Sequence, residues 1–504
     1  MREGSLPSYL LLTIAATAAR FSKDPFFENR QTEAIETFAR FAWLEIFEKA
    51  FSDEAPLNIH AVQSTNMLAV IDFTVGRHKL GWVKIGLAVR FAQGLRLNAE
   101  PDSTLSTVQQ EEHRRTFWSV YLLDKLVSCS PHRPPTILDD DCTVRLPCDE
   151  SDFVKGLSVE GVTLSQLNDT HEPAPVQKLG KFTLTILMAS ALGRIVRYNL
   201  QQTSSNNFAP WDSRGDLAST WSTLMTFETY SNPADMSFTA ILDRDYTTNG
   251  VTEGTAAGHF VLSQVLFHLN QCLLHHPFLL HQKLRPYKEK VPPSFIKEVL
   301  RRSRKHAGLL TELLRVVQQR DCCGHSSFFG YCAMSAGIIH RLYQQNENES
   351  WREAASNHFQ TSLAFLDRKP VLWGHFPRMA TALRNFQPEP STAKTLIMPP
   401  LPRDGADVVD SETLWNLMDY GWLADSARPV DTTPSDSYRN LNVDNWTGGP
   451  GMDDMEYNGN NSTPDSLYIF SFADAFPQNM QRIMRIFSKI YLDPALKTIL
   501  GERL

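Results

Sequence analysis

Three groups of residues in this chain have types and spacings that suggest chemistry. Asp139-Asp140-Asp141 could grip divalent metal for a diphosphate substrate, Gly324-His325-Ser326 begins like a nucleophile turn, and His268, Cys272 and His276 offer soft ligands at i, i+4 and i+8. Each fails on geometry. Metal-binding carboxylates on a helix must stand about one turn apart to converge, whereas these three are consecutive and lie between Pro135 and Pro147. A turn whose acids meet nearby arginines is the expectation. The nucleophile turn needs Gly two residues after Ser, and position 328 is Phe. Residues i and i+8 of a helix are about 12 Å apart, so the soft ligands cannot close on one ion. Phe260, Leu266, Leu269 and Leu273 surround them and make Cys272 a core residue. No structural metal and no enzymatic activity are expected.

The elements that carry these residues read as helices. Apolar residues recur every three to four positions, as at Ile35, Phe38, Ala39, Ala42, Ile46 and Phe47. The same period predicts helices over 8–21, 33–51, 58–74, 77–94, 107–128, 176–200, 214–228, 257–276, 293–319, 328–345, 351–366 and 372–386. Ser106, three residues before Gln109, forms a capping-box pattern that starts one of them near Thr107. No series of alternating strands appears. The expectation is an all-α antiparallel helix array over 1–386, with a loop-rich insert at about 130–175.

Composition narrows the function classes. The 504 residues carry a formal net charge of -7, which argues against a chain whose main work is covering phosphates. Seven cysteines include the adjacent pair Cys322-Cys323, which favours a reducing compartment. Arg2, Tyr9-Leu10-Leu11-Leu12 and Ala16-Thr17-Ala18 imitate a short signal peptide, but Glu3 and Pro7 favour a helix of the mature protein. No run reaches the roughly 18 apolar residues of a membrane span.

Beyond residue 386 prolines close the helical region, and 387–465 reads as a Pro/Gly/Asn/Asp-rich flexible tail. Within it, DSETLWNLMDYGWLAD at 410–425 has the acidic-aromatic pattern of an activation segment. Trp415, Leu417, Met418, Tyr420 and Trp422 would dock on a coactivator groove with Asp419 steering, or the segment would pack on the protein's own surface. Residues 466–504 close the chain with an amphipathic helix. A basic run, Arg301, Arg302, Arg304 and Lys305, is the best nuclear-import candidate, against the plainer reading of a solvated helix face.

The stretch 111–147, EEHRRTFWSVYLLDKLVSCSPHRPPTILDDDCTVRLP, is the most distinctive. Its helix sets His113, Phe117, Tyr121, Asp124 and Ser128 on one strip, with Glu111 and Arg115 one turn apart. Asp124 lies beside the apolar strip and needs a partner; Arg133, returning from Ser130-Pro131-His132, is the nearest cation in sequence. The group reads as a helix-and-return clamp.

At these residues the chain resembles the fungal-specific transcription factor domain, the middle homology region of zinc binuclear cluster transcription factors. The resemblance rests on YLLLTIAATAARFSKDPFF at 9–27, LGWVKIGLAVRFAQGLRL at 80–97, then Glu111, Arg114, Arg115, Phe117, Trp118, Asp124, Arg133-Pro134, the acids ending at Asp141, and Pro147. LLHHPFLL at 273–280 and SSFFGYCAMSAGIIHRLY at 326–343 extend it to about residue 385. His132 stands where the family commonly has Gly. The resemblance implies a nuclear regulator of RNA polymerase II transcription, with a coactivator or a DNA-bound regulator as partner. A homodimer and a small-molecule effector are also open. The family's six-cysteine zinc cluster has no counterpart in these 504 residues, so zinc is expected only if an upstream module supplies it. DNA would then be reached through that module or through a partner.

Overall fold

A computed structural model describes residues 6–425, apart from 23, 28–29, 53–55, 169–178, 201–207, 232–235, 288–289, 321–325, 368–372 and 399–410. Nineteen α-helices lie among the described residues. The first four, α1 (Ser8–Ala19), α2 (Gln31–Ala50), α3 (Ile59–Thr74) and α4 (His78–Gly94), pack as neighbours, with α3 against both α1 and α4. Next comes α5 (Thr107–Val127), which lies on α3 and α4 and opens with the expected box: the Ser106 side chain accepts from the Gln109 amide, and the Gln109 side chain accepts from that of Ser106.

The expected loop at 130–175 holds a 3₁₀ turn, Asp139–Asp141, and two short helices, α6 (Glu150–Val154) and α7 (Leu164–Asn168). After it, α8 (Lys181–Asn199) crosses behind α5 and is followed by α9 (Asp216–Ser231) and α10 (Phe238–Tyr246). A two-residue hairpin, Thr247–Thr248 with Val251–Thr252, turns at Asn249-Gly250, both at positive φ. It leads into α11 (Gly254–Leu274) and then α12 (Pro277–Leu284), which begins on proline, a residue suited to a helix's first turn.

The second half stacks α13 (Pro293–Gln319), α14 (Phe329–Tyr343), α15 (Glu349–Asp367) and α16 (Phe376–Asn385). Every residue of α14 except Arg341 is buried, which explains its near-continuous apolar sequence. The packed body does not stop at 386. It continues through α17 (Pro390–Ile397), α18 (Ser411–Met418) and α19 (Tyr420–Leu423). The tract expected around 430–465 and the helix expected within 466–504 lie outside the described residues. No described helix is long and apolar enough to cross a membrane.

Candidate functional site

The outer half of the clamp is a lattice of carboxylates and guanidinium groups at the start of α5. Glu111, 5% exposed, accepts from Arg115 Nε at 3.1 Å and from the Cys148 amide at 3.0 Å. Arg115 also reaches Glu150 at 2.6 Å and the Cys148 carbonyl at 3.2 Å. Arg114 bonds Glu100 at 2.8 Å, and Glu100 in turn takes the Arg145 amide at 2.6 Å and Arg145 Nε at 2.9 Å. Burial raises the Glu100 pKa, but the bonds from Arg114 and Arg145 outweigh it and hold the carboxyl at about 2. Fully buried Trp118 donates its indole N–H to the Arg145 carbonyl at 2.8 Å, and Phe117 meets it edge to face at 5.1 Å. These bonds fasten the returning chain at 145–150 along α5.

The inner half centres on one buried acid, Asp124, and one half-buried acid, Asp139. Asp124 is 2% exposed, and its carboxylate accepts from the Thr136 and Ile137 amides, each at 3.0 Å. The expected pairing with Arg133 is therefore corrected. Backbone amides of the return occupy Asp124, while Arg133 lies with its guanidinium 5.5 Å from the Trp82 ring centre. His132, which stands where the family commonly has Gly, is not at positive φ; among the described residues the non-glycine residues at positive φ are Arg96 and Asn249.

Asp139, rather than the expected Asp141, is the acid that joins helices. It accepts from Tyr121 at 2.6 Å and Ser190 of α8 at 2.7 Å, with Lys125 Nζ at 3.4 Å and Arg194 Nε at 3.8 Å. Burial raises its pKa, but Lys125 and the hydrogen bonds prevail and lower it. Asp141 is exposed, and its main-chain carbonyl accepts from Asn98 at 3.1 Å. Pro134 is exposed too. Lys125, 2% exposed, gives a further bond to the Ile137 carbonyl and lies 4.5 Å from the Tyr121 ring centre. It fits because position 193 of α8 is glycine: a Cβ there would come within 2.9 Å of Lys125 Cδ. Glu100, Lys125, Arg145 and Gly193 are residues that sequence reasoning missed. A Lys beside Asp124 on a half-apolar helix was the one available signal.

The acidic-aromatic segment belongs to the same construction. In α18, Leu414, Leu417 and Met418 repeat at i, i+3 and i+4 and are all buried. Trp415 packs edge to face on Phe278 at 5.1 Å, and Tyr331 donates to the Met418 carbonyl at 3.0 Å. The Asp419 side chain caps α19 by accepting from the Trp422 amide at 3.2 Å. The Tyr420 amide bonds the Cys129 carbonyl just past α5 at 2.8 Å, and its ring stacks on Phe73 at 6.0 Å. Arg378 covers the Trp422 ring at 4.4 Å. Of the two expectations for this segment, docking elsewhere or packing on the protein's own surface, the described contacts show packing. Gly421 lies where a Cβ would be 2.7 Å from Arg133 Nη1, so α19 and the return loop meet there.

The remaining candidates are dispersed. Arg301 pairs with Glu298 at 2.7 Å, Arg302 lies 3.5 Å over Trp221 and Arg304 3.6 Å over Trp351, so only Arg301 and Lys305 of the basic run are exposed along α13. His268 Nδ1 meets His306 Nδ1 at 3.0 Å, and burial lowers His268 to about 4 and His276 to about 3. Among the described residues no group of three or more His, Cys, Asp or Glu is placed to hold a metal. Gly324 and His325 lie outside the described residues. A cleft of about 70 Å³ beside Glu111, Arg114, Arg145 and Cys148 is far below the roughly 300 Å³ of an ordinary small-molecule pocket. Among the described groups, Glu100, Glu111, Asp124 and Asp139 each engage backbone amides, hydroxyls or cations of the clamp.

The family model described as "Fungal specific transcription factor domain" matches residues 2–225, which include the whole clamp. That stretch of the chain is similar to a fungal specific transcription factor domain. Around this domain the chain is 25% identical over 444 residues to a Zn(2)-C6 fungal-type transcription factor of Fusarium oxysporum f. sp. lycopersici, covering 84% of this chain and 45% of that protein. It is 30% identical over 177 residues to an ascochitine biosynthesis cluster transcriptional regulator of Didymella fabae, covering 34% of this chain and 29% of the relative. It is 29% identical over 190 residues to a pigment biosynthesis transcriptional activator of Monascus ruber, covering 36% and 33%. The chain spans less than half the length of the curated relatives it matches. No solved structure matches it.

Proposed function

We propose that this chain is the regulatory part of a nuclear regulator of RNA polymerase II transcription in a fungus. The reading is supported by the transcription factor domain at 2–225 and by relatives whose printed names are transcription factors, regulators and activators. The observation that carries a non-catalytic role is the mutual engagement of the clamp: Glu111, Asp124 and Asp139 each hold chain segments together, beside a cleft too small for an ordinary substrate. DNA is reached through a zinc-cluster module or through a DNA-bound partner, since a net charge of -7 gives the chain no overall attraction for phosphates. The relatives' name implies zinc, but the described cysteines do not fit a shared cluster. Cys129, Cys142, Cys272 and Cys332 are buried thiols on separate elements, and Cys148 is half-buried.

The test fuses the chain to an unrelated sequence-specific DNA-binding domain in fungal cells carrying a matching reporter. A change in reporter transcription of about fivefold or more, in either direction, is expected over that domain alone. No change at equal protein level and proven nuclear entry would remove the proposal. Purified chain is expected not to retard duplex DNA at physiological salt.

A further inference from the structure

Helix α4 turns to solvent a face that mixes large apolar side chains with cations. At about 100° per residue, Lys79, Leu80, Trp82, Val83, Gly86 and Arg90 fall on one side, while Ile85, Ala88, Val89 and Ala92 are buried on the side that packs on α3 and α5. Leu80, Trp82 and Val83 are 42–47% exposed. The helix contains no Asp or Glu. Lys84 is held inside by Asp72 at 2.6 Å, whereas Lys79 and Arg90 are exposed and pair with no carboxylate among the described residues. Arg133 adds a further cation 5.5 Å from the Trp82 ring centre. The neighbouring α2 exposes both signs, Glu33, Glu36 and Glu48 against Arg40 and Lys49, and Glu36 is bridged to Arg77 at 3.1 Å, so α2 does not offset the positive charge of α4.

Gly86 stands in the middle of this face, with Trp82 and Arg90 one turn to either side. Glycine weakens a helix interior relative to alanine, and its use there is to let another group come close. Gly81 of the same helix is explained within the chain, because a Cβ there would lie 2.5 Å from the Phe73 ring. A Cβ at Gly86 would meet nothing within 4 Å. The packing of the described body gives no reason for this glycine.

We propose that the exposed face of α4 receives an acidic, apolar helical segment of a partner protein, whose backbone passes close over Gly86. Leu80, Trp82 and Val83 take its apolar side chains. Lys79 and Arg90, about 16 Å apart along the axis, take carboxylates toward its two ends. Charge complementarity selects this occupant, since α4 offers cations alone. A nucleic acid would satisfy Lys79 and Arg90 but would leave Leu80 and Val83 wet between them. The contact is independent of the regulatory role proposed above.

Fluorescence anisotropy of labelled probes against the purified 504-residue chain tests the contact. The probes are a helical peptide of Glu, Leu and Ala, the same peptide with Lys in place of every Glu, and a short single-stranded DNA. The glutamate peptide is expected to bind with a Kd below about 100 µM, and about tenfold or more tighter than the lysine peptide. Lys79→Glu with Arg90→Glu should invert that preference, an outcome that misfolding cannot produce. Gly86→Leu should weaken binding about tenfold or more while the urea midpoint holds or rises, because leucine is the better helix former and has open space there. No binding of the glutamate peptide, equal affinity for the two peptides, or binding indifferent to these substitutions overturns the proposal. Tighter binding of the DNA, lost in the same variants, overturns it too and gives the face to nucleic acid.

Discussion

The amide of Tyr420 donates to the carbonyl of Cys129 at 2.8 Å, tying the last described helix to the point where the chain leaves α5. Around that bond Phe73, Phe328 and Tyr331 close on the Tyr420 ring at 5.3–6.0 Å. The clamp and the acidic-aromatic segment are thus joined by direct contacts.

Leu417, 3% exposed, tests that attachment. Leu417→Ala should lower stability by about 2–5 kcal/mol in urea unfolding, the usual range for emptying a core leucine site. A segment that merely lay ready for a coactivator would tolerate the change with stability intact.

Asp124 gives the second prediction. Asp124→Ala leaves the Thr136 and Ile137 amides without their acceptor and should cost about 1–3 kcal/mol. Exposed Asp140→Ala should stay within about 0.5 kcal/mol. Comparable losses from both would show that the triple acid, not Asp124, anchors the return.

Acid should unfold the protein early. Burial lowers His268, His275 and His375 to about 4, and His276 and His340 to about 3, against an ordinary value of 6.5. Below pH 6.5 the unfolded chain takes up protons that the folded chain refuses. Their contribution is therefore full above pH 6.5 and is lost as pH falls toward 4, at up to about 1.4 kcal/mol per pH unit for each group. Glu100, held at about 2, adds a loss only below about pH 4.5. Urea midpoints at pH 7.5 and 5.5 should differ clearly; equal midpoints would mean that these rings are hydrated in the folded protein.

Much of this was legible in the sequence, for identifiable reasons. The capping pair Ser106 and Gln109 fixed the start of α5, and its mixed strip showed that Asp124 needed a partner. The partner's identity was hidden because backbone amides carry no side-chain signature, which left Arg133 as the obvious and mistaken choice. Glu100 and Arg145 meet across loops whose closure no local pattern announces. The five-residue helices α6 and α7 are too short to display a period. In α18 the spacing of Leu414, Leu417 and Met418 signalled an amphipathic helix but not the surface that receives it.

Gly193 and Lys125 have a consequence for how such chains can diverge. Any side chain at 193 collides with the lysine stem, and a shorter residue at 125 gives up its bonds to the Ile137 carbonyl and Asp139. Drift at this pair has an order: the lysine must shrink before the glycine can grow, and the acid loses its nearest cation in the interval. Chimaeras that join α5 of one lineage to α8 of another should fail here first, however similar the rest of their helices.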